Sequence, residues 1–187
     1  MFKDCRDFTT QLSKIKDREI RHLAVCVLQG VPQRFFTMPA STTGKYHSKV
    51  SLGEGGLVRH TKLLVKILLE LLELEQYSDL KPMRDELICA GILHDSLKAG
   101  WNLDNEYTVQ EHPNLAADFV MEKALELKTL PKETINRICH LVRAHSGQWD
   151  CDGLLPKPVT NAERLLHVAD YLSSRKWICI DGEDLDA

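Results

Sequence analysis

Histidine and aspartate are the residues of this 187-residue chain best suited to chemistry, and the informative ones are His60, an adjacent His94-Asp95 pair, His112, His145 and Asp170. Imidazole nitrogen together with carboxylate oxygen is the donor set that Zn, Mn, Fe or Co ions accept, and a carboxylate can bridge two ions. The His94-Asp95 pair ends the apolar run Leu87-Ile88-Cys89-Ala90-Gly91-Ile92-Leu93. A polar pair buried there destabilises the chain by several kcal/mol if left alone, so a cation or a strong partner is implied.

These side chains meet only if helices hold them. Apolar periodicity predicts helices at about 7–29, 56–76, 82–99, 113–127, 131–146 and 160–176, divided by Gly, Pro or Ser clusters, and no segment alternates as a strand. The fold class is therefore all-α, a compact helical bundle of about six to seven helices. A helix turns roughly 100° per residue, which puts His60 on a stripe with Leu57, Leu64, Ile67 and Leu71. Leu87, Gly91, His94 and Lys98 share a face of the third helix, with Asp95 about 100° further round beside Ile88. Ile135, Ile138, Val142 and His145 cluster while His140 points the other way, and Leu166, Ala169, Asp170 and Ser173 share a face with His167 off to one side. His112 precedes Pro113, a residue suited to the first helical position.

Composition sets the frame. A formal charge of -3 and 43 % hydrophobic residues exclude a disordered chain and argue against general electrostatic wrapping of nucleic acid. A single domain, 1–187, is expected, with an amino-terminal helix and long loop over 1–50 and a metal-binding bundle over 51–176. A chain of this size buries roughly two-thirds of its unfolded surface, so a metal is not needed to hold the core and is free for chemistry. Cys5, Cys26, Cys89, Cys139, Cys151 and Cys179 form no CxxC pair, which argues against a zinc ribbon or disulfide framework and fits a reducing cytoplasm. The amino terminus carries charges where a signal peptide needs an apolar run, and the stretch 63–74 is broken by Lys66, Glu70 and Glu73, so neither export nor a membrane span is expected. Two connections, 30–55 and 146–159, are long enough to be functional.

The ordered set His60, His94-Asp95, His112, His145 and Asp170 stands in the contexts Gly-Gly-Leu-Val-Arg-His-Thr, Gly-Ile-Leu-His-Asp-Ser-Leu-Lys, Glu-His-Pro and Val-Ala-Asp-Tyr-Leu-Ser-Ser. It resembles the H…HD…D pattern of the HD-domain phosphohydrolase superfamily over about residues 50–175. The intervening histidines resemble the two-metal branch that includes YqeK-like diadenosine tetraphosphate hydrolases and cyclic-dinucleotide phosphodiesterases. Pro39-Ala40-Ser41 through Tyr46-His47 to Gly55-Gly56-Leu57 is similar to the HD module of YhaM-like 3′-to-5′ exoribonucleases. The residues ahead of the bundle do not read as the OB-fold of those exoribonucleases, and His140-Leu-Val-Arg-Ala-His145 lacks the His-His pair and downstream Gly-Tyr-Pro of cyclic di-GMP enzymes.

The resemblance implies a phosphohydrolase acting on a nucleotide, dinucleotide or short nucleic-acid end, with one or two divalent ions among Mn, Fe, Co, Zn, Ni or Mg. It implies a first ion at His60, His94, Asp95 and Asp170, and Asp95 bridging to a second held by His112 and His145. In one-ion relatives, which are (deoxy)nucleotide hydrolases, His112 and His145 would instead grip phosphate. Asp95 and Lys98 are the expected catalytic residues, with Lys98 meeting a phosphate oxygen or protonating the leaving group; Tyr46 and His47 are expected to contact a base or second phosphate. Ser146-Gly147 and Arg175 are further candidates. A non-catalytic nucleotide-binding module and a homo-oligomer pairing through the apolar helix 57–74 are the other readings.

Overall fold

The computed structural model describes residues 4–102, 104–149, 153–178 and 182–186. Among them there is no strand, and eight α-helices follow one another: α1 (Thr9–Ser13), α2 (Arg18–Gly30), α3 (Arg34–Thr37), α4 (Gly56–Leu72), α5 (Arg84–Leu93), α6 (His112–Leu127), α7 (Lys132–Ala144) and α8 (Asn161–Ser173). The protein is all-α, and no described helix is long and apolar enough to cross a membrane.

Helix α5 is the axis of the bundle. Every residue from Glu86 to Leu93 is buried, as expected of a helix apolar on all sides, and it packs on α2, α4, α7 and α8. Gly91 permits that crowding, since a Cβ there would stand 3.0 Å from Leu64 Cδ2 of α4. Around this axis α4 lies against α8 and α6 against α7, so five helices bring their ends or faces to one place. The core that joins them runs continuously from Phe8 to Ala169.

Three elements differ from the periodicity. The helix expected at 7–29 is divided, because the Asp17 side chain accepts from the Glu19 and Ile20 amides and starts α2 afresh. The segment 30–55 is not wholly irregular: α3 buries Phe35 and Phe36 in a cluster with Phe8, with ring centroids 5.0 and 5.8 Å apart at Phe35–Phe36 and Phe8–Phe35. The third helix stops at Leu93, and residues 94–99 continue as tight turns with amides of Ser96, Lys98 and Gly100 donating three residues back. Three residues per turn replace 3.6 there, so Lys98 follows Asp95 rather than extending the His94 face.

Cys89 and Cys139 are buried free thiols whose burial raises them, Cys139 to about 11, which makes them poor nucleophiles. Cys5 and Cys26 are also free, and Cys151 and Cys179 lie outside the described residues.

Candidate metal centre

His60 comes from the first two turns of α4, His94 and Asp95 from the end of α5, His112 from the start of α6, His145 from just beyond α7, and Asp170 from α8. The four imidazoles and Asp95 are buried, and the Asp170 side chain is 20 % exposed. Asp95 stands in the middle. Its Oδ2 lies 3.3 Å from His94 Nε2 and 4.0 Å from His60 Nε2, while Oδ1 lies 2.9 Å from His112 Nε2 and 3.6 Å from His145 Nε2. Asp170 Oδ1 closes the other side at 3.0 Å from His60 Nε2 and 3.7 Å from His94 Nε2. Two overlapping groups, His60-His94-Asp170 and His94-Asp95-His145, each gather their donor atoms within 4.8 Å.

The inward atoms are lone pairs. His94, His112 and His145 each direct Nδ1 to the carbonyl three residues upstream, Gly91 at 2.8 Å, Val109 at 2.7 Å and Val142 at 2.7 Å. A carbonyl only accepts, so Nδ1 carries a proton, and a ring holding that proton alone turns a bare Nε2 inward. His60 reaches the same state differently: its Nδ1 lies 3.1 Å from Ser173 Oγ, whose own proton goes to the Asp170 carbonyl at 2.7 Å. His112 and His145 therefore face each other Nε2 to Nε2 at 3.3 Å, and His94 Nε2 and Asp95 Oδ1 are buried without a hydrogen-bond partner. Acceptors crowded this closely repel unless a cation lies between them, so the residues fit a divalent ion.

Burial works to raise the Asp95 carboxyl, yet Lys98, His94, His112 and His145 hold it well below the ordinary carboxylate range. Asp170 is likewise held low against its burial, chiefly by His60. Burial pushes His112 down, which disfavours a proton as the missing cation. The Lys98 ammonium sits directly on Asp95 Oδ2.

A profile of the HD domain matches residues 57–175. The chain belongs to the HD-domain family. No curated protein and no solved structure matches it. HD domains bind divalent metals, and metal-dependent phosphohydrolase activity is what this family implies in general.

Around the HD centre the remaining candidates divide. His47 is brought in, its ring 5.4 Å from that of His60 and its Nδ1 buried without a hydrogen-bond partner. The loop that carries it is tied by Arg59, whose guanidinium donates to the carbonyls of Val50, Leu52 and Glu54. Tyr46 stays half exposed at the rim under Arg175, and Ser146 Oγ lies 3.5 Å from His145 Nε2. His140 points away from the HD centre and pairs with Glu163 at 2.8 Å. Two residues carry parts that periodicity did not assign. Ser173 orients His60, and His167 donates from Nδ1 to the His145 carbonyl at 2.8 Å. Gly147 sits under the His167 ring with φ +58°, where a Cβ would stand 2.4 Å from the ring. Their signal was weak, since a serine or histidine on a half-buried helix face has many uses.

Proposed function

We propose that this HD-domain protein hydrolyses a phosphorus–oxygen bond of a nucleotide, dinucleotide or short nucleic-acid end. One observation carries the reading: a buried carboxylate, Asp95, offers Oδ2 to His60 and His94 and Oδ1 to His112 and His145, with imidazole Nε2 atoms on both sides. His60, His94, Asp95 and Asp170 would hold one divalent ion, and Asp95, His112 and His145 a second. Four imidazoles favour Mn, Fe, Co, Ni or Zn over Mg, which prefers oxygen. When bound, such ions supply a water acidified toward neutral pH and positive charge for the phosphate oxygens.

The chain's own groups do the rest. Backbone carbonyls and Ser173 keep the four Nδ1 protons directed outward, so each Nε2 remains a donor without reorganisation during turnover. Lys98 holds three protons at Nζ beside Asp95 and is placed to meet a phosphate oxygen or to pass a proton to the departing one.

Purified protein, stripped by chelation and reloaded with single metals, tests this on a panel of nucleotides and oligonucleotides. The expected result is hydrolysis only with metal present and a fall of more than about 100-fold in Asp95→Ala, exceeding what outer-shell changes typically cost. Full-rate activity in Asp95→Ala, or in chelator, overturns the reading.

A further inference from the structure

Beside the HD centre runs a column of aromatic and cationic side chains that the hydrolytic step does not use; it joins Tyr46 and Arg175 to Tyr171 and Trp149. The Arg175 guanidinium lies 5.2 Å from the centre of the Tyr46 ring and 4.3 Å from that of Tyr171. Trp149 continues the column, its ring parallel to Tyr171 within 8° and 6.4 Å away between centroids. Lys45 covers Tyr46 at 5.1 Å.

Three separate stretches of chain build this column, and each also builds the centre. Tyr46 precedes His47, which packs on His60; Tyr171 follows Asp170, and Arg175 lies two residues past Ser173; Trp149 lies four residues past His145. The column thus stands next to the ligand cluster, with Tyr171 held on α8. Arg175 is fixed in place, donating from Nε to the Tyr171 carbonyl at 3.2 Å and from Nη2 to Ser174 Oγ at 2.6 Å.

Packing does not explain it. Tyr46 is 51 % exposed and Trp149 is 54 % exposed, so both residues still reach water at the ends of the column. Aromatic rings interleaved with a guanidinium plane and open to water at their ends suit one ligand chemistry: heteroaromatic bases stack on aromatic and arginine planes, while arginine and lysine attract the attached phosphate. Because stacking uses the face of a base and not its edge, such a platform tolerates any base and favours the larger purines.

We propose that Tyr46, Trp149, Tyr171 and Arg175 form a stacking platform for the nucleobase of the substrate; the proposal rests on the phosphohydrolase reading for which phosphate then reaches the HD centre. The ligand chemistry is a base joined to a phosphate, supplied by a free nucleotide or by the end of a single strand.

The test uses the full chain, metal-stripped, with Trp101→Phe and Trp177→Phe so that Trp149 is the one tryptophan left of three. Its fluorescence is titrated with AMP, CMP, ribose 5-phosphate, inorganic phosphate and a single-stranded tetranucleotide. Saturable quenching by AMP and the tetranucleotide, weaker with CMP and absent with ribose 5-phosphate, is expected. Tighter binding of the tetranucleotide than of AMP identifies a strand end as the source; equal binding identifies a free nucleotide. In the otherwise unaltered protein, Trp149→Leu, Tyr171→Leu and Arg175→Lys should each raise KM for a nucleotide about tenfold with a smaller change in kcat. Because Trp149 is exposed, its variant reports even if Tyr171→Leu folds poorly. Equal response to AMP and ribose 5-phosphate, or an unchanged nucleotide KM in Trp149→Leu, overturns the platform. AMP quenching without hydrolysis of any phosphate ester under any metal keeps the platform and removes the phosphohydrolase reading, and hydrolysis without base discrimination does the reverse.

Discussion

The proton on each imidazole decides whether a ring can ligate at all. Three of the four rings are set by backbone carbonyls that no substitution removes, but His60 depends on a side chain, Ser173. Ser173→Ala leaves a buried Nδ1 without an acceptor and lets the ring turn over, placing the proton inward. The expected outcome is a Kd for Mn or Co about 10–100-fold weaker, the usual cost of losing an outer-shell partner. Titration calorimetry against the wild type checks it, with Ser173→Thr, which keeps the hydroxyl, restoring most of the affinity. Unaltered affinity in Ser173→Ala would show that His60 needs no such anchor.

Helix α8 carries both Asp170 and Ser173, so its start bears on how firmly they are held. Thr160 Oγ1 accepts from the Glu163 amide at 3.3 Å, and Glu163 Oε2 returns to the amides of Thr160 at 3.0 Å and Val159 at 2.6 Å. Burial works to raise Glu163, but those amides and His140 hold it below the ordinary glutamate range. A depressed folded value means the contribution is complete above the ordinary glutamate value, about 4.3, and is lost as pH falls through the lower folded value. Urea unfolding between pH 3 and 6 should therefore show a steeper acid loss in the wild type than in Glu163→Gln, and Thr160→Ala should cost about 1 kcal/mol at neutral pH. At this scale the sequence was most legible where one period held throughout. The 100° rule separated exposed His140 on α7 from buried His145 at its C-cap because the thirteen residues of α7 share one regular winding. It failed at Lys98, where three residues per turn replace 3.6, and at 30–55, where α3 is four residues long and held by tertiary contacts of Phe35 and Phe36. Ser173 shared a face with Asp170 in the periodicity, yet its bond to His60 crosses 113 residues and has no local signature.

Across the whole molecule, folding itself gathers the repulsion. Five helices, α4 through α8, or the residues just beyond them, each bring an acceptor to one cluster, so the native state alone contains the crowded acceptors and the unfolded chain does not. Asp95 and Asp170 carry two negative charges there against the single ammonium of Lys98, which leaves one negative charge uncompensated when the imidazoles are neutral. A divalent ion removes both problems at once and binds the folded form only. Linkage then requires stabilisation of about 2.7 kcal/mol at a free ion concentration near 100 times Kd. For a chain of this length that raises Tm by about 5–10 °C above the chelated protein. Because the ligands come from five helices or their ends, the shift should move one cooperative transition and not split off a separate one. Scanning calorimetry with Mn, Co or chelator measures it directly, and Asp95→Ala, which breaks one donor group and leaves His60, His94 and Asp170, should show a smaller shift between metal and chelator. Equal melting of the wild type in metal and in chelator would mean that these six side chains converge for some purpose other than holding an ion.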